Sequence, residues 1–115
     1  MRLSINFKRS EFACPCGCGF DTVDHELIEE LEEVRRYFGT PITITSGCRC
    51  QEHNASIDGA APNSQHKRGR AADFVVKGVD SGAVADYCET IGIPGVGRYN
   101  GRTHIDTKSG KVRRW

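Results

Sequence analysis

Two short stretches of the sequence carry side chains that could together bind a metal ion. In the first, His66 lies in a polar segment, and Asp73, seven residues later, opens an apolar run typical of a strand. The second, residues 103–107, supplies His104 and Asp106, which point to the same face of a strand because they are two residues apart. Zinc in hydrolases takes three protein ligands from His, Asp and Glu and keeps a fourth position for water. The residue types therefore predict a zinc hydrolase with His66, Asp73 and His104 as ligands.

Each of these residues also has an ordinary structural interpretation. A single histidine in a loop is most often a surface residue, and Asp73 could pair with Arg70 or Arg98 across a sheet. Residue types and spacing alone leave both interpretations open.

A long amphipathic helix is the clearest element that the sequence predicts. Asp24 is a suitable N-cap residue, and Gly39 is a residue at which helices commonly end. Between them, apolar side chains recur at helical spacing, at Leu27, Ile28, Leu31, Val34 and Phe38. Residues 42–46 then alternate β-branched apolar and hydroxyl side chains, which indicates a half-buried strand after this helix.

The rest of the chain supplies the elements that must position the two stretches. Residues 47–70 are polar and rich in Gly, Asn and Pro, and so long a loop in a small protein usually borders a functional site. Residues 71–76 indicate a buried strand, and Ser81 is expected to cap a second helix. Asn-Gly and Ser-Gly turns in the last quarter predict an antiparallel meander. We therefore expect an α+β fold, a small and mainly antiparallel sheet packed with about two helices, in one domain spanning residues 1–115.

The first stretch matches a known signature position for position. The pattern S-x-H-x-x-G-x-A-x-D is that of the D-alanyl-D-alanine carboxypeptidase-like zinc peptidases of peptidoglycan, and the matching residues are Ser64, His66, Gly69, Ala71 and Asp73. The segment Ser46-Gly47-Cys48-Arg49 resembles the Ser-Gly-aromatic-Arg element of the same family. Residues 95–99 and 104–106 resemble its C-terminal half in small cell-wall and phage endolysin members. The resemblance extends over essentially the whole chain.

This resemblance implies a function and a set of site residues. His66, Asp73 and His104 would bind one catalytic zinc ion, and Arg49, helped by Ser64, would hold a carboxylate or carbonyl group of the bound peptide. A guanidinium suits that role because its planar fork matches a carboxylate. The implied activity is cleavage of peptide bonds in peptidoglycan stem peptides or cross-links, by a D,D-carboxypeptidase or an endopeptidase such as an endolysin.

The catalytic carboxylate departs from the pattern of the family. Many relatives place it three residues before the last histidine ligand, where this chain has Gly101, which has no side chain. Asp106 is the nearest carboxylate in the sequence and our candidate for the general base. Asp106 could instead orient a ligating imidazole, as such ligands commonly require. Arg98 and Tyr99 are further candidates for stabilising the oxyanion.

The six cysteines do not follow the usual C-x-x-C zinc spacing. Five of them form two groups, Cys14, Cys16 and Cys18 in one and Cys48 and Cys50 in the other. Disulfide bridges, a second, structural metal ion and plain reduced thiols all remain open for these groups. Cys88 stands alone at an apolar helical position and is expected in the core.

Composition and charge restrict the partners and the location. Lys and Arg number 16 against 15 for Asp and Glu, a formal charge of +1, and this balance argues against a nucleic-acid partner. No apolar run is long enough for a signal peptide or a membrane span. We expect a monomer without membrane insertion that is made in the cytoplasm and acts on the cell wall after release or as part of a phage particle.

Two alternatives to a peptidase are consistent with the sequence. The hedgehog signalling domain resembles the same fold and site, which leaves open a non-catalytic zinc-binding interaction domain. A cysteine-rich zinc module that binds nucleic acid is the second alternative, although the near-neutral charge and the irregular cysteine spacing argue against it.

Overall fold

A computed structural model describes residues 3–14, 16, 23–47, 65–108 and 110–115. The predicted first helix is present as α1, His25–Phe38. Asp24 precedes it in an extended conformation, and Gly39 ends it with φ of 69°, a left-handed geometry that glycine adopts without a steric penalty. The buried stripe of α1 consists of Leu27, Ile28, Leu31 and Val34.

Within the described ranges, five strands form one sheet. They are β1 (Ile42–Ser46), β2 (Ala71–Val76), β3 (Gly95–Tyr99), β4 (Arg102–Asp106) and β5 (Arg113–Arg114). Their order across the sheet is β1-β2-β4-β3-β5, and every neighbouring pair is antiparallel except β3 and β5. The α+β class, with two helices and a mainly antiparallel sheet, is confirmed.

The predicted meander in the last quarter is correct for β3 and β4 but wrong for β5. Strands β3 and β4 form a hairpin around Asn100 and Gly101, and the φ of Gly101 is 79°. Strand β4 is hydrogen-bonded to β2 on one side and β3 on the other, so no further strand can pair with it. The chain after β4 therefore joins the sheet at the outer edge of β3, where β5 runs parallel to that strand.

Asp80 caps the second helix, and the prediction that Ser81 does so is wrong. Helix α2 spans Ser81–Thr90, and the Asp80 side chain accepts a hydrogen bond from the backbone N–H of Gly82 at 3.0 Å. Both residue types are good N-caps, but the carboxylate one position earlier takes the role. Ser81 is already helical, and its hydroxyl donates to the carbonyl of Tyr99 at 3.5 Å.

The two faces of the sheet have different roles. Apolar residues of one face pack with α1 and α2 into the core, including Ala72, Phe74, Val76, Val96 and Ile105. Because alternate residues of a strand point to opposite faces, Asp73, His104 and Asp106 lie on the other face. The strands thus hold the candidate ligands directly against a packed core.

The N-terminal segment covers one edge of the core. A short 3-10 helix spans Arg9–Phe12, and the rings of Phe7 and Phe12 are buried with centroids 6.0 Å apart. Gly47 allows this packing, since a Cβ atom there would lie 2.6 Å from the Cα atom of Phe12. The end of β1 is thereby held close to the segment that precedes α1.

The cysteine predictions have different outcomes. Cys88 is fully buried in the core, as predicted. The sulfur atoms of Cys14 and Cys16 lie 3.4 Å apart, whereas Cys18, Cys48 and Cys50 are outside the described residues. Across the described ranges, neither helix has the length and apolar character that a bilayer crossing requires.

Candidate metal centre

His66 reaches the site from a 3-10 helix that immediately precedes β2. This helix spans Gln65–Arg68, and the His66 side chain is almost completely buried. Its Nδ1 atom lies 2.7 Å from the backbone carbonyl of Gly47, which can only accept a hydrogen bond. Nδ1 therefore carries the proton, and Nε2, which is 3.5 Å from Oδ1 of Asp73, faces the site with its lone pair when the imidazole is neutral.

Asp73 and His104 are direct cross-strand partners in β2 and β4. Both side chains are buried, and Nδ1 of His104 lies 2.8 Å from Oδ1 of Asp73. One donor atom each from His66, Asp73 and His104 can be chosen so that all three lie within 4.8 Å of one another. The structure thus brings together the three residues that the sequence predicted as metal ligands.

The donor set fits a divalent metal ion. Bond lengths of about 2.0–2.1 Å in a tetrahedral zinc site place neighbouring donor atoms roughly 3.4 Å apart. The distances from Oδ1 of Asp73 to His66 and His104, 3.5 Å and 2.8 Å, are close to that spacing. Two imidazole nitrogens and a carboxylate oxygen are also ligands that transition metals prefer. These residues could therefore hold a metal ion after small side-chain adjustments.

The titration behaviour of the group reflects its mutual hydrogen bonds. Burial alone would raise the pKa of Asp73, but the hydrogen bond from His104 and the His66 imidazole 3.5 Å away hold that pKa far below its ordinary value. Burial disfavours the charged form of His104, yet its bonds to Asp106 and Asp73 outweigh this effect and raise its pKa. The carboxylate of Asp73 is thus ionised, the form that binds a metal ion, whereas His104 would release its Nδ1 proton when a metal binds.

Asp106 lies behind His104 and is enclosed by hydrogen-bond donors. Its Oδ2 atom is 3.2 Å from Nε2 of His104, and the guanidinium of Arg113 binds both carboxylate oxygens, at 2.6 and 3.0 Å. The backbone N–H of Lys108 donates to Oδ1 at 3.3 Å. Burial opposes ionisation, but the bonds from His104 and Arg113 hold the pKa of Asp106 far below its usual range. Gly95 leaves room for the carboxylate, because a Cβ there would lie 2.4 Å from Oδ2.

The other predicted site residues fall into two groups. Arg49 and Ser64 lie outside the described residues. Arg98 turns to the opposite face of the sheet and binds Asp86 of α2 at 2.6 Å, whereas Tyr99 lies on the site face at the rim. Asp73 has Arg102, not Arg70 or Arg98, as its neighbouring arginine among the described residues, at 3.6 Å.

Sequence reasoning missed four features of the site, Arg102, Arg113, Trp115 and the Gly47 carbonyl. Only Arg102 had a readable signal, since it lies two residues before His104 and four before Asp106 and so shares their strand face. The other three depend on the parallel pairing of β5 with β3 or on the path of a loop. No local pattern encodes those contacts.

Comparison with known proteins identifies the family of the chain. A family model described as Peptidase M15 matches residues 5–107. The peptidoglycan L,D-endopeptidase MepK of Escherichia coli K12 is 30% identical over 102 residues, which cover 82% of this chain and 55% of MepK. The probable MepK of Haemophilus influenzae is 30% identical over 100 residues, covering 81% and 54%. The chain thus spans about half the length of the curated relatives it matches. Since the family model covers most of the sequence, the chain belongs to the peptidase M15 family.

Proposed function

We propose that this chain is a zinc-dependent peptidase that cleaves peptide bonds in peptidoglycan stem peptides or cross-links. The observation that carries the proposal is the buried group of His66, Asp73 and His104, whose donor atoms converge on one point of the sheet face. The similarity to peptidoglycan L,D-endopeptidases supports the substrate class. The cell wall would accordingly be the place of action.

Zinc suits the donor set because it accepts nitrogen and carboxylate ligands in a tetrahedral arrangement. His66 would bind through Nε2 and His104 through Nδ1, the atoms that face Asp73. The chemistry that zinc supplies when bound is polarisation of the peptide carbonyl and a water molecule acidic enough to react near neutral pH. Three protein ligands leave one coordination position for this chemistry.

Asp106 is proposed to orient His104, which is one of the two roles that the sequence left open for it. A general base needs an accessible lone pair and a pKa near the working pH. The contacts of Asp106 favour the orienting role over the general base, because Arg113, His104 and Lys108 already donate to it. The bonds from His104 and Arg113 also depress its pKa. By accepting from Nε2–H, the carboxylate keeps the Nδ1 lone pair of His104 directed toward the ion.

Substrate binding is assigned to Arg49 and Ser64 on the strength of the sequence signature. Arg49 would hold a carboxylate or carbonyl group of the peptide, with help from the hydroxyl of Ser64. The backbone carbonyl of Gly47 accepts a hydrogen bond from His66, a proposed zinc ligand, and Gly47 precedes Arg49 by only two residues in the sequence.

Digestion of purified peptidoglycan tests the proposal. The zinc-loaded protein should release peptide fragments whose masses, read by mass spectrometry, identify the cleaved bond. The purified His66→Ala variant should contain little zinc and should not cleave peptidoglycan, because one of three ligands is removed. His25→Ala is the matched control, since His25 is exposed on α1 and pairs with Glu29 there. Full zinc content and full cleavage by His66→Ala would show that the site is assigned wrongly, and no cleavage by the zinc-loaded wild type would overturn the function.

A further inference from the structure

Three partly exposed side chains form a rim cluster beside the candidate metal centre: Tyr99, Arg102 and Trp115. The ring centroids of Trp115 and His104 lie 5.0 Å apart, and the indole Nε1–H donates to the hydroxyl of Tyr99 at 2.8 Å. The guanidinium carbon of Arg102 lies 4.3 Å from the centre of the Tyr99 ring. The cluster therefore runs without interruption from a candidate ligand to solvent.

Strand register explains why these side chains meet. Tyr99 pairs with Arg102 and Gly97 pairs with His104, so all four residues lie on the site face. A Cβ atom at Gly97 would lie 2.7 Å from the indole ring of Trp115, which shows that this glycine provides the space for the tryptophan. Backbone hydrogen bonds between Trp115 and both Val96 and Arg98 fix the ring over that space.

Arg102 differs from the other arginines near the site in its hydrogen bonds. Arg113 makes two hydrogen bonds to Asp106, and Arg98 binds Asp86 and Glu89 on the opposite face. The Nε atom of Arg102 is 3.6 Å from Asp73, which is beyond hydrogen-bond distance. Among the residues that the structure describes, its guanidinium donates no hydrogen bond.

The Tyr99 ring holds this guanidinium in place without using its N–H groups. Stacking on an aromatic face orients the planar cation and leaves its edges available for an incoming acceptor. About 43% of the Arg102 side chain is exposed, so a ligand can reach it from solvent. The result is an oriented cation at the mouth of a site in which Asp73 and Asp106 are enclosed by other donors.

We propose that Arg102 determines substrate specificity by binding a carboxylate that the peptide carries next to the bond to be cut. The proposal rests on the proposed peptidase function, because it places the peptide over the rim cluster. The planar fork of a guanidinium matches a carboxylate with two parallel hydrogen bonds. A peptide amide in the same place can accept only one such bond and carries no charge.

Paired peptides test this role. The probes are an N-acetylated tripeptide that ends in D-alanine as the free acid and the same tripeptide as its C-terminal amide. Trp115 is the single tryptophan of the chain and lies beside His104, so its fluorescence reports binding directly. Arg102→Gln should weaken binding and cleavage of the free acid by roughly 10-fold to 100-fold, the range for a charge-assisted hydrogen bond, while hardly affecting the amide.

Two further variants and a measurement of zinc content separate carboxylate binding from other effects of Arg102→Gln. Arg98→Gln removes a cation of the same hairpin that faces away from the site, and it should alter neither the binding nor the cleavage of either peptide. Arg102→Lys keeps the charge without the fork and should give an intermediate loss on the free acid. Zinc content should stay at the wild-type level in all three variants.

Equal losses on both peptides, or a loss of zinc from Arg102→Gln, would mean that Arg102 only balances the charge of Asp73. If the wild type cleaved the acid and the amide equally well, the role of Arg102 would be overturned, but the proposed peptidase function would stand. Preferential binding of the acid, together with no cleavage of either peptide or of purified peptidoglycan, would overturn the peptidase function and retain the carboxylate site. Binding of neither peptide would overturn the proposal.

Discussion

Replacing Asp106 by asparagine should weaken metal binding by changing which nitrogen of His104 carries the proton. The wild-type carboxylate accepts from Nε2–H of His104 at 3.2 Å and from Arg113 at 2.6 and 3.0 Å. An amide has one accepting oxygen and one donating NH2 group. If its oxygen takes the Oδ1 position, where Arg113 makes its shorter contact and Lys108 N–H donates, its NH2 takes the Oδ2 position and faces Nε2 of His104 and the second guanidinium nitrogen. The imidazole then accepts at Nε2 and is protonated at Nδ1. That tautomer cannot offer the Nδ1 lone pair to a metal ion.

The alternative orientation of the amide is also unfavourable. Turning the oxygen toward His104 would place the NH2 group at the Oδ1 position, against the shorter Arg113 contact and the backbone N–H of Lys108, so donors would face each other in a buried setting. Loss of such an orienting partner commonly costs about 10-fold to 100-fold in metal affinity. This corresponds to about 1.4–2.7 kcal/mol in the free energy of zinc binding.

Competition with a chromogenic chelator measures this change directly, and a thermal melt of the metal-free protein establishes that the variant folds. Asp86→Asn is the matched control, because it changes an exposed carboxylate that pairs with Arg98 away from the site. A zinc affinity within twofold of the wild type, together with loss of turnover, would refute the orienting role. Asp106 would then be the residue that carries the proton.

Two further predictions concern packing around the site and in the core. Gly97→Ala should displace the Trp115 ring, because the new Cβ would lie 2.7 Å from it, and should reduce the free energy of unfolding by about 1–3 kcal/mol. Urea denaturation followed by tryptophan fluorescence checks both effects, and unchanged emission with wild-type stability would contradict the packing argument. Burial raises the pKa of the Cys88 thiol from 9.0 to about 12. The unfolded chain therefore ionises this thiol first, and stability should fall as the pH rises from about 9 toward 12. Cys88→Ala should show a shallower decline in its urea midpoint between pH 8 and pH 10.5, and parallel declines would refute this explanation.

The sequence predicted the regular elements well where one physical signal dominated. The apolar spacing of Leu27, Leu31 and Val34 and the left-handed Gly39 define α1 without reference to the rest of the fold. The alternation in residues 42–46 and the apolar run of 71–76 likewise predict β1 and β2. Each of these signals is local, so a single segment contains all the information that its own conformation needs.

The missed features depend on contacts between distant segments or on a choice between equivalent residues. Asp80 and Ser81 are adjacent cap residues, and composition does not decide which one lies at the first turn. The parallel pairing of β5 follows from which sheet edge remains open, a property of the assembled sheet. Arg113 reaches Asp106 only because β5 lies there. Two of the proposed ligands, His66 and Asp73, were found from a dense signature and His104 from a second stretch that resembles the family, whereas their supporting residues were not found.

The division of β2 and β4 between core and site ties the pairing of these strands to the chemistry of their side chains. In the native register, Asp73 faces His104 on one side of the sheet, while Phe74 lies on the other side in the core. A slip of one residue would move the aspartate into an apolar interior and expose the phenylalanine. Such a chain would lose core packing and carry an uncompensated buried charge at the same time. The polar residues that suit the site to a cation therefore also destabilise sheets with the wrong register, and so favour the native pairing during folding.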